Sequence, residues 1–532
     1  MNDFGKPSRR DFLKLGAAGL GATMISGGTP RAATAPAATE DIRVDNVILI
    51  ITDTMRRDAF ACYGGQWIQT PHLERFAQQA VIFDNAYHSS FPTIPLRNDI
   101  LTGRYTFTYK PWSPIDEDAV TLQETLGKAG ILTSMVADNP TCFAPGYNYQ
   151  RGFAAWQLIR GQFSEPYRTA PRDPKLPCDA NKLFGGAALT KQYLRNVAHR
   201  QREEDYFAAQ TMATAAEWLE ENRDGRRFFL YVDTWDPHEP WDPPHYYVER
   251  YDPGYTGEEI IVPRYDFWKE FMTERELQHC RALYAGEVTM VDRWIGFLLD
   301  RIATLDLLKN TAVIVTTDHG IYVGEHGYTG KGFVRGNLFQ WLPLYAEIAR
   351  IPLLVYFPGC QGGARFKGLA QSVDLMPTIL EMMGVPRPPS VESNSLVSAL
   401  VGRTEKIRDL AFASPTVYNA KGRATGLPGV EGIDPSARTS ITDGEWMLIA
   451  GPRPDKSAGP VYTAAVDSRI REVTNIQGEI RPQLYHLTED PGCLKNLIND
   501  KPAVAGNLHQ AYVEFLRSKK IPESYLQLFR LS

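Results

Sequence analysis

The stretch NVILIITD (residues 46–53) decides the fold of this chain. Seven residues, most of them β-branched or apolar, follow one another without a polar break, which is typical of a strand buried on both faces of a parallel sheet. The run ends at a carboxylate, Asp53. Because doubly wound sheets bind ligands beyond the carboxyl ends of their strands, Asp53 is placed where it could hold a cation.

The pattern of this first strand recurs along the chain. We predict further strands over residues 131–136, 228–232, 312–317 and 353–357, and helices over residues 121–128, 205–222, 273–308 and 374–383. Strands that alternate with helices indicate an α/β fold, in which helices cover both faces of one large sheet.

Two regions interrupt the alternation. Residues 146–202 are rich in Pro, Gly and basic side chains and are expected to form an irregular insertion. Residues 386–395 are rich in Pro and Ser and mark a boundary. Short strand-like runs (410–413 and 440–449) and a helix near 507–517 follow the boundary. We therefore predict a large α/β domain over residues 38–395, which contains the insertion, and a smaller C-terminal α+β lobe over residues 396–532.

The composition excludes some classes of function. The 532 residues carry 57 Lys and Arg against 62 Asp and Glu, with no basic tract, so a nucleic-acid partner is not expected. The six cysteines are scattered and contain no Cys-x-x-Cys pair, which excludes a thiolate zinc site but predicts no disulfide pairing.

The N-terminus has the layout of an export signal. SRRDFLK (residues 8–14) matches the twin-arginine motif, a Gly- and Ala-rich apolar run covers 15–25, and Ala35-Pro36-Ala37 offers a cleavage site. The alternative is an ordinary basic N-terminus before a helix. We expect residues 1–37 to be a signal peptide that engages the Tat translocon and delivers a periplasmic protein. No stretch has the length of a stable membrane span.

A second strand end carries a similar constellation. Asp318 and His319 directly follow the predicted strand 312–317, as Asp53 follows the first strand. Two carboxylates and an imidazole suit one divalent ion such as Zn, Mn or Ca. Each Asp alone would be interpreted as the cap of a turn. Together they predict a metal site.

The stretch FPTIPLRNDILTGR (residues 91–104) resembles the active-site signature of sulfatases, Cys/Ser-x-Pro-x-Arg followed by Leu-Thr-Gly-Arg. Pro95 and Arg97 fix the register, so Thr93 occupies the position of the nucleophile. Sulfatases oxidise the Cys or Ser there to formylglycine. A threonine cannot give that aldehyde, so no formylglycine is expected.

Further motifs of the family occur in order. They are PHEPW (237–241), DHG (318–320), GEHG (324–327) leading to Lys331, RIPLL (350–354) with PG (358–359), DLMPT (374–378) and YHLTEDP (485–491). The chain is identified as an atypical member of the sulfatase family of the alkaline phosphatase superfamily. This resemblance implies a large mixed, mainly parallel sheet sandwiched by helices.

The resemblance also implies roles for individual residues. The metal ligands would be Asp53, Asp318, His319 and the nucleophile Thr93, with Arg97 orienting Thr93, and with His238 and Lys331 contacting the ester and assisting the leaving group. A cation lowers the pKa of a bound hydroxyl, and Lys or His⁺ donors suit oxygens that gain charge. Outside the motifs, Arg97 would be interpreted as a salt bridge and His238 as a turn histidine.

Three positions depart from the sulfatase pattern. Thr93 replaces the modified residue, Thr54 replaces the second Asp of the usual pair, and Asp138-Asn139-Pro140 replaces a Lys-x-His that grips sulfate. Such a site resembles the phosphodiesterase and phosphonate-ester branches of the superfamily. Asn139 would either donate to the ester or form a turn before Pro140.

A second metal ion, as in nucleotide-pyrophosphatase-like relatives, has few candidate ligands. Asp236, His238 and His326 are the candidates, and Asp236 and His326 could also contact substrate. We expect a metal-dependent hydrolase that cleaves a sulfate ester, or a phosphoric or phosphonic ester, of a small molecule or glycan through Thr93. The alternatives are a phosphodiesterase or phosphonate monoester hydrolase, and a pseudoenzyme that binds an anionic glycan or lipid head group.

Overall fold

The computed structural model describes residues 42–531, apart from 337, 421–422, 425–426, 429–431, 454–463, 467–468 and 474–480. The predicted signal peptide (residues 1–37) lies outside the described residues. In chain order the strands are β1 Asn46–Thr52, β2 Val81–Tyr87, β3 Ser90–Phe91, β4 Leu132–Ala137, β5 Ala155–Leu158, β6 Phe228–Thr234, β7 Thr311–Thr317, β8 Tyr322–Val323, β9 Thr329–Gly330, β10 Gly332–Arg335, β11 Leu338–Trp341, β12 Leu353–Tyr356, β13 Arg365–Gln371, β14 Ala411–Pro415, β15 Tyr418–Asn419, β16 Arg423–Ala424, β17 Leu427–Pro428, β18 Gly432–Ile433, β19 Thr439–Thr442, β20 Trp446–Ala450, β21 Ala464–Val466, β22 Arg469–Val473 and β23 Gln483–His486.

The α-helices lie between these strands and at the C-terminal end. They are α1 Pro71–Ala77, α2 Thr93–Thr102, α3 Leu122–Lys128, α4 Gly186–Val197, α5 Phe207–Asn222, α6 His245–Val248, α7 Glu274–Thr304, α8 Ala346–Ala349, α9 Leu375–Met382, α10 Val397–Leu400, α11 Pro502–Ser518 and α12 Glu523–Leu526.

One sheet of eight strands forms the centre of the molecule, in the order β13-β2-β12-β7-β1-β6-β4-β5. β1 lies between β7 and β6 and is parallel to both. β12 runs antiparallel to its two neighbours, and the other strand pairs of this sheet are parallel. The predicted fold class, a mixed and mainly parallel α/β sheet, is confirmed.

The two faces of β1 explain why its sequence has no polar break. Ile48 and Ile50 belong to one buried apolar cluster, to which α5 and α7 contribute. Val47, Leu49 and Ile51 belong to a second cluster, to which α2, α3 and α9 contribute. Successive side chains of a strand point to opposite faces, so a strand covered on both faces is apolar throughout.

A second sheet contains four strands of the C-terminal segment together with β3. Its order is β23-β20-β19-β14-β3, and β14 pairs in parallel with β3. β3 ends two residues before Thr93. The stretch 440–449, predicted as one strand-like run, is a hairpin of β19 and β20. The domain bounds 38–395 and 396–532 stay a prediction.

The prediction of an irregular insertion at 146–202 is wrong for part of that segment. β5 pairs with β4 at the end of the central sheet, and α4 spans twelve residues. β5 is an exposed edge strand, so it lacks the continuous apolar run of the central strands. α4 begins after Gly185 rather than after a Ser, Thr or Asp cap, which removes the usual signal of a helix start.

Within the described residues, no helix is long and apolar enough to cross a membrane.

Candidate active site

Asp53, Asp318 and His319 meet at the carboxyl ends of β1 and β7. These strands are paired in parallel with Thr52 opposite Thr317, so the residues that follow them lie side by side. One ligand atom of each residue lies within 4.8 Å of the others, and all three side chains are buried. The sheet register therefore produces the cluster that the sequence predicts.

Hydrogen bonds fix the orientation of these side chains. Asp318 Oδ1 accepts the backbone N–H groups of Thr54 at 3.0 Å and His319 at 2.7 Å. His319 Nδ1 lies 2.8 Å from the carbonyl oxygen of Gly320. A carbonyl only accepts, so Nδ1 carries the proton and Nε2 keeps its lone pair for a metal ion.

The Asp53 carboxylate is buried without a hydrogen bond to stabilise its charge within the described residues. Burial and the charge of Asp318 raise the pKa of Asp53 well above its usual range. Burial would also raise the pKa of Asp318, but His319 and Arg97 lower it overall. A divalent ion would stabilise both carboxylates as anions, so the donor set fits one.

Arg97 lies at the centre of a buried charge network. Its Nε and Nη2 each donate at 2.7 Å to one oxygen of Asp233, and its Nη1 donates to Asp318 Oδ2 at 2.9 Å. The same nitrogen lies 3.3 Å from Asp53 Oδ2. A planar guanidinium can make all these contacts at once, whereas a lysine could not. Arg97 thus links the carboxylates of Asp53 and Asp318 to the helix that carries Thr93.

Thr93 is the first residue of α2. Its side chain is 1% exposed, and within the described residues Oγ1 has no hydrogen-bond partner. Its carbonyl oxygen accepts from Arg97 Nη1 at 3.1 Å, one turn further along the helix. The hydroxyl therefore lies at a helix N-terminus, where the backbone N–H groups favour an anion.

His238 and Lys331 form a second polar pair. Lys331 Nζ lies 3.1 Å from His238 Nε2 and 3.5 Å from His319 Nε2. His238 Nδ1 lies 2.8 Å from the carbonyl oxygen of Glu239, so Nε2 of the neutral ring accepts from Lys331. Burial and the charge of Lys331 lower the pKa of His238 well below its usual range. His238 is therefore a neutral acceptor at Nε2 in this arrangement.

A narrow pocket opens onto Thr93, His238 and Lys331. Most of its walls are aromatic rings, among them Trp112, Phe163, Phe184, Trp235, Phe339 and Trp341. The pocket therefore has one polar end, at Thr93, His238 and Lys331, and mostly apolar walls elsewhere.

The family assignment rests on comparison of the whole chain. The family model for sulfatases matches residues 45–385, more than half of the chain, and includes Asp53, Thr93 to Arg104, His238, Asp318, His319 and Lys331. The chain belongs to the sulfatase family. It is accordingly a hydrolase that acts on sulfate or phosphate esters.

The proteins similar to this sulfatase-family chain include two that are named as sulfatases and one that is named as a phosphonate monoester hydrolase. An N-acetylglucosamine-6-O-sulfatase of Bacteroides thetaiotaomicron is 24% identical, covering 68% of this chain and 72% of that protein. An arylsulfatase of Clostridium perfringens is 26% identical, covering 68% of this chain and 80% of that protein. A phosphonate monoester hydrolase of Agrobacterium radiobacter shares the fold, with a TM-score of 0.63 and 19% identity over 90% of this chain and 96% of that chain.

Three further residues that the sequence singled out contact groups other than Asp53, Asp318 and His319. Asn139 Oδ1 accepts from Thr141, which makes Asn139 a turn residue, while its buried Nδ2 has no partner within the described residues. His326 stacks on Tyr345 and lies 3.4 Å from Glu347. Asp236 accepts hydrogen bonds on both oxygens, and burial raises its pKa to about 6.

Within the part of the chain that the structure describes, the candidate ligands for a second metal ion do not form a cluster. Within the described residues Asp53, Asp318 and His319 form the one cluster of three metal-ligating side chains, and neither Asp236 nor His326 belongs to it.

Sequence reasoning missed Asp233, which holds Arg97. The rule that places Asp53 and Asp318, a carboxylate at the end of a buried strand, also points to Asp233 at the end of the strand predicted at 228–232.

The sequence analysis also missed His88, whose ring lies 6.4 Å from that of His319. Burial lowers the pKa of His88 to about 3, so the ring is neutral. A lone histidine after a strand carries no comparable sequence signal.

Proposed function

We propose that this protein is a metal-dependent ester hydrolase that uses the unmodified hydroxyl of Thr93 as its nucleophile. The observation that carries the proposal is the convergence at Thr93: a buried hydroxyl without a partner lies at the start of α2, in one pocket with His238 and Lys331. Arg97, on the same helix, contacts Asp53 and Asp318. A site that only bound anions would not need carboxylates linked through Arg97 to the helix that carries a buried hydroxyl.

The metal would be held by Asp53, Asp318 and His319, with Thr93 as a further ligand. When bound, a divalent ion lowers the pKa of the hydroxyl and stabilises charge on the transferred group. Arg97 keeps both carboxylates in place from behind, and it balances part of their charge before the metal binds.

Catalysis is then a pair of displacements that share one proton relay. In the first, Thr93 Oγ1 bonds to the sulfur or phosphorus, its proton passes to neutral His238, and the leaving-group oxygen departs with a proton from Lys331. The proton on His238 returns to Lys331 across the 3.1 Å contact. In the second, water gives its proton to His238 and bonds to the same atom, while Thr93 Oγ1 departs with a proton from Lys331.

The aromatic walls of the pocket favour a substrate whose leaving group is flat and apolar. Seven Phe, Tyr and Trp side chains line the pocket beside Thr93, His238 and Lys331, and burial of a planar ring against them is favourable. The arylsulfatase relative supports an aryl ester as substrate class, ahead of the glycan esters suggested by the relative that acts on N-acetylglucosamine.

Thr93 also favours a second candidate, cleavage of a phosphodiester or phosphonate monoester. The hydrate of a formylglycine can release sulfate by breaking its own carbon–oxygen bond and re-forming the aldehyde, because it carries two oxygens on one carbon. Thr93 has one oxygen, so water must attack the sulfur or phosphorus directly. The structural relative that is a phosphonate monoester hydrolase supports this candidate for the transferred group.

Export remains part of the proposal. The twin-arginine motif at Arg9 and Arg10 supports delivery to the periplasm by the Tat translocon. Replacement of both residues by Lys should retain the protein in the cytoplasm on cell fractionation. Unchanged periplasmic recovery would exclude this route.

A substrate panel tests the proposed activity. Protein from a host without formylglycine-generating machinery is assayed with aryl sulfate, aryl phosphodiester and aryl phosphonate esters, each with Mn²⁺, Zn²⁺ or Ca²⁺. We expect turnover of at least one ester, which Thr93→Ala lowers on the order of 10³-fold and Thr93→Ser retains in part. Thr102→Ala, in the same helix, is the control and should keep the activity.

Two outcomes would contradict the proposal. Thr93→Ala at the wild-type rate would show that a metal-bound water attacks directly. Tight binding of the product anions without turnover of any ester would instead indicate the pseudoenzyme.

A further inference from the structure

Phe163 reaches the active-site pocket from the segment 146–202. Its side chain is 6% exposed, and its ring centroid lies 5.5 Å from that of Trp235 and 5.7 Å from that of His238. Its φ of 51° is in the left-handed region, which is uncommon for a bulky residue. Such a conformation is unfavourable for a bulky residue and persists where the surroundings enforce it.

The neighbouring Gln162 supplies the contacts that enforce it. Gln162 is 1% exposed, and its Oε1 accepts the backbone N–H of Phe163 at 3.0 Å. Its Nε2 donates to Asp236 Oδ1 at 2.6 Å. The amide of one glutamine thus ties the backbone of Phe163 to the loop that carries His238.

Asp236 is in turn anchored to a helix. Its Oδ2 accepts the backbone N–H of Ala208, in the first turn of α5, at 3.1 Å. Asp236 is 4% exposed, so both contacts are shielded from water. We name this chain of contacts from Phe163 through Gln162 to Asp236 the Gln162 clamp.

We propose that Phe163, held by the Gln162 clamp, is the specificity-determining wall of the leaving-group pocket. Phe163 lines the same pocket as Thr93 and Lys331, and its ring packs against His238. A leaving group that departs next to Lys331 therefore lies against Phe163, which selects flat apolar groups. The clamp positions Phe163 and takes no part in bond making. This inference rests on the proposed function for the identity of the pocket.

The test uses anions that bind but contain no cleavable ester, so that it does not depend on turnover. Phenylphosphonate and methylphosphonate, and the matched pair of phenyl- and methanesulfonate, differ only in the ring. Dissociation constants are measured by calorimetry on the metal-loaded protein. The wild-type protein should bind the phenyl anion of at least one pair more tightly than its methyl partner.

Phe163→Ala should reduce this phenyl preference roughly tenfold, the size expected for loss of one aromatic stack. Phe163→Leu, which keeps an apolar side chain, should reduce it less. Gln162→Ala should reduce it in the same direction while the affinity for the methyl anion stays the same. A mere loss of stability would weaken the binding of both anions equally. The ratio of the two dissociation constants therefore distinguishes a positioning role of Gln162 from a role in folding.

Two controls match these variants. Gln192→Ala removes a glutamine of the same segment that bonds to Arg168 and Asn196, and Phe297→Ala removes a phenylalanine that is 37% exposed on α7. Both should keep the wild-type ratio. A phenyl preference that is unchanged in folded Phe163→Ala and Phe163→Leu would overturn the inference. If no ester is hydrolysed but the Phe163 variants still lose the preference for the phenyl anion, the proposed function alone is overturned.

Discussion

Replacement of Asp233 by Asn tests the network that holds Arg97. Asp233 accepts two hydrogen bonds of 2.7 Å from the guanidinium, and both side chains are fully buried. Asn keeps one acceptor but turns an NH₂ group toward the other donor of Arg97. Removal of one partner from a buried ion pair costs about 3–5 kcal/mol. Since Asp318 and Asp53 still contact Arg97, we expect the lower end, about 3 kcal/mol.

The assay is denaturant unfolding of the metal-free and metal-loaded protein, with kcat measured on the same preparations. The free energy of unfolding should fall by about 3 kcal/mol, and kcat should fall at least roughly tenfold because Arg97 then shifts toward the metal ligands. The control is Asp300→Asn, which breaks an exposed pair with Arg75 and should change the unfolding free energy by less than about 1 kcal/mol. Asp233→Asn with wild-type stability and wild-type kcat would refute the reasoning.

The remaining predictions concern the metal ion, Lys331 and Asp99. Protein purified without chelator should contain one divalent ion per chain by elemental analysis, and chelation should abolish activity until the ion is restored; full activity of metal-free protein would contradict the site. Lys331→Met should lower kcat on the order of 10²-fold for esters of poorly acidic alcohols and much less for 4-nitrophenyl esters, because an acidic leaving group needs no proton; an equal loss for both would exclude Lys331 as the acid. Burial raises the pKa of Asp99 to about 7, above its unfolded value, so its contribution to stability is present at low pH and is lost as the pH rises toward 7. Asp99→Asn should therefore gain stability relative to the wild-type protein between pH 5 and pH 8 in denaturant unfolding, and a constant difference would show that Asp99 does not titrate there.

The central sheet could be predicted because its strands are buried on both faces. β1 begins and ends as the apolar run 46–52 does, and β7, β12, α3, α5 and α9 lie within a few residues of their predicted bounds. β5 could not be predicted in this way, since an exposed edge strand has no core to fill and leaves no apolar run.

Part of the candidate site followed from local sequence. Asp53, Asp318 and His319 were expected together because adjacent parallel strands end at the same edge of the sheet, and the register places them so. Residues that act through distant partners could not be found locally. The pairing of Asp233 with Arg97 spans 136 positions, and the bond from Gln162, next to Phe163, to Asp236 spans 74. Such pairs depend on how the chain folds back on itself.

The most direct test of the account is the chemical state of Thr93 before and during turnover. The wild-type protein, loaded with metal and mixed with an aryl ester, is quenched rapidly, and the peptide that contains Thr93 is analysed by high-resolution mass spectrometry. We predict unmodified threonine in the resting protein and a sulfate, phosphate or phosphonate adduct on Thr93 after the quench. The adduct should be missing in Thr93→Ala and present in Thr102→Ala. Active protein that shows no adduct at any quench time, with Thr93→Ala equally active, would contradict the claim that Thr93 is the nucleophile.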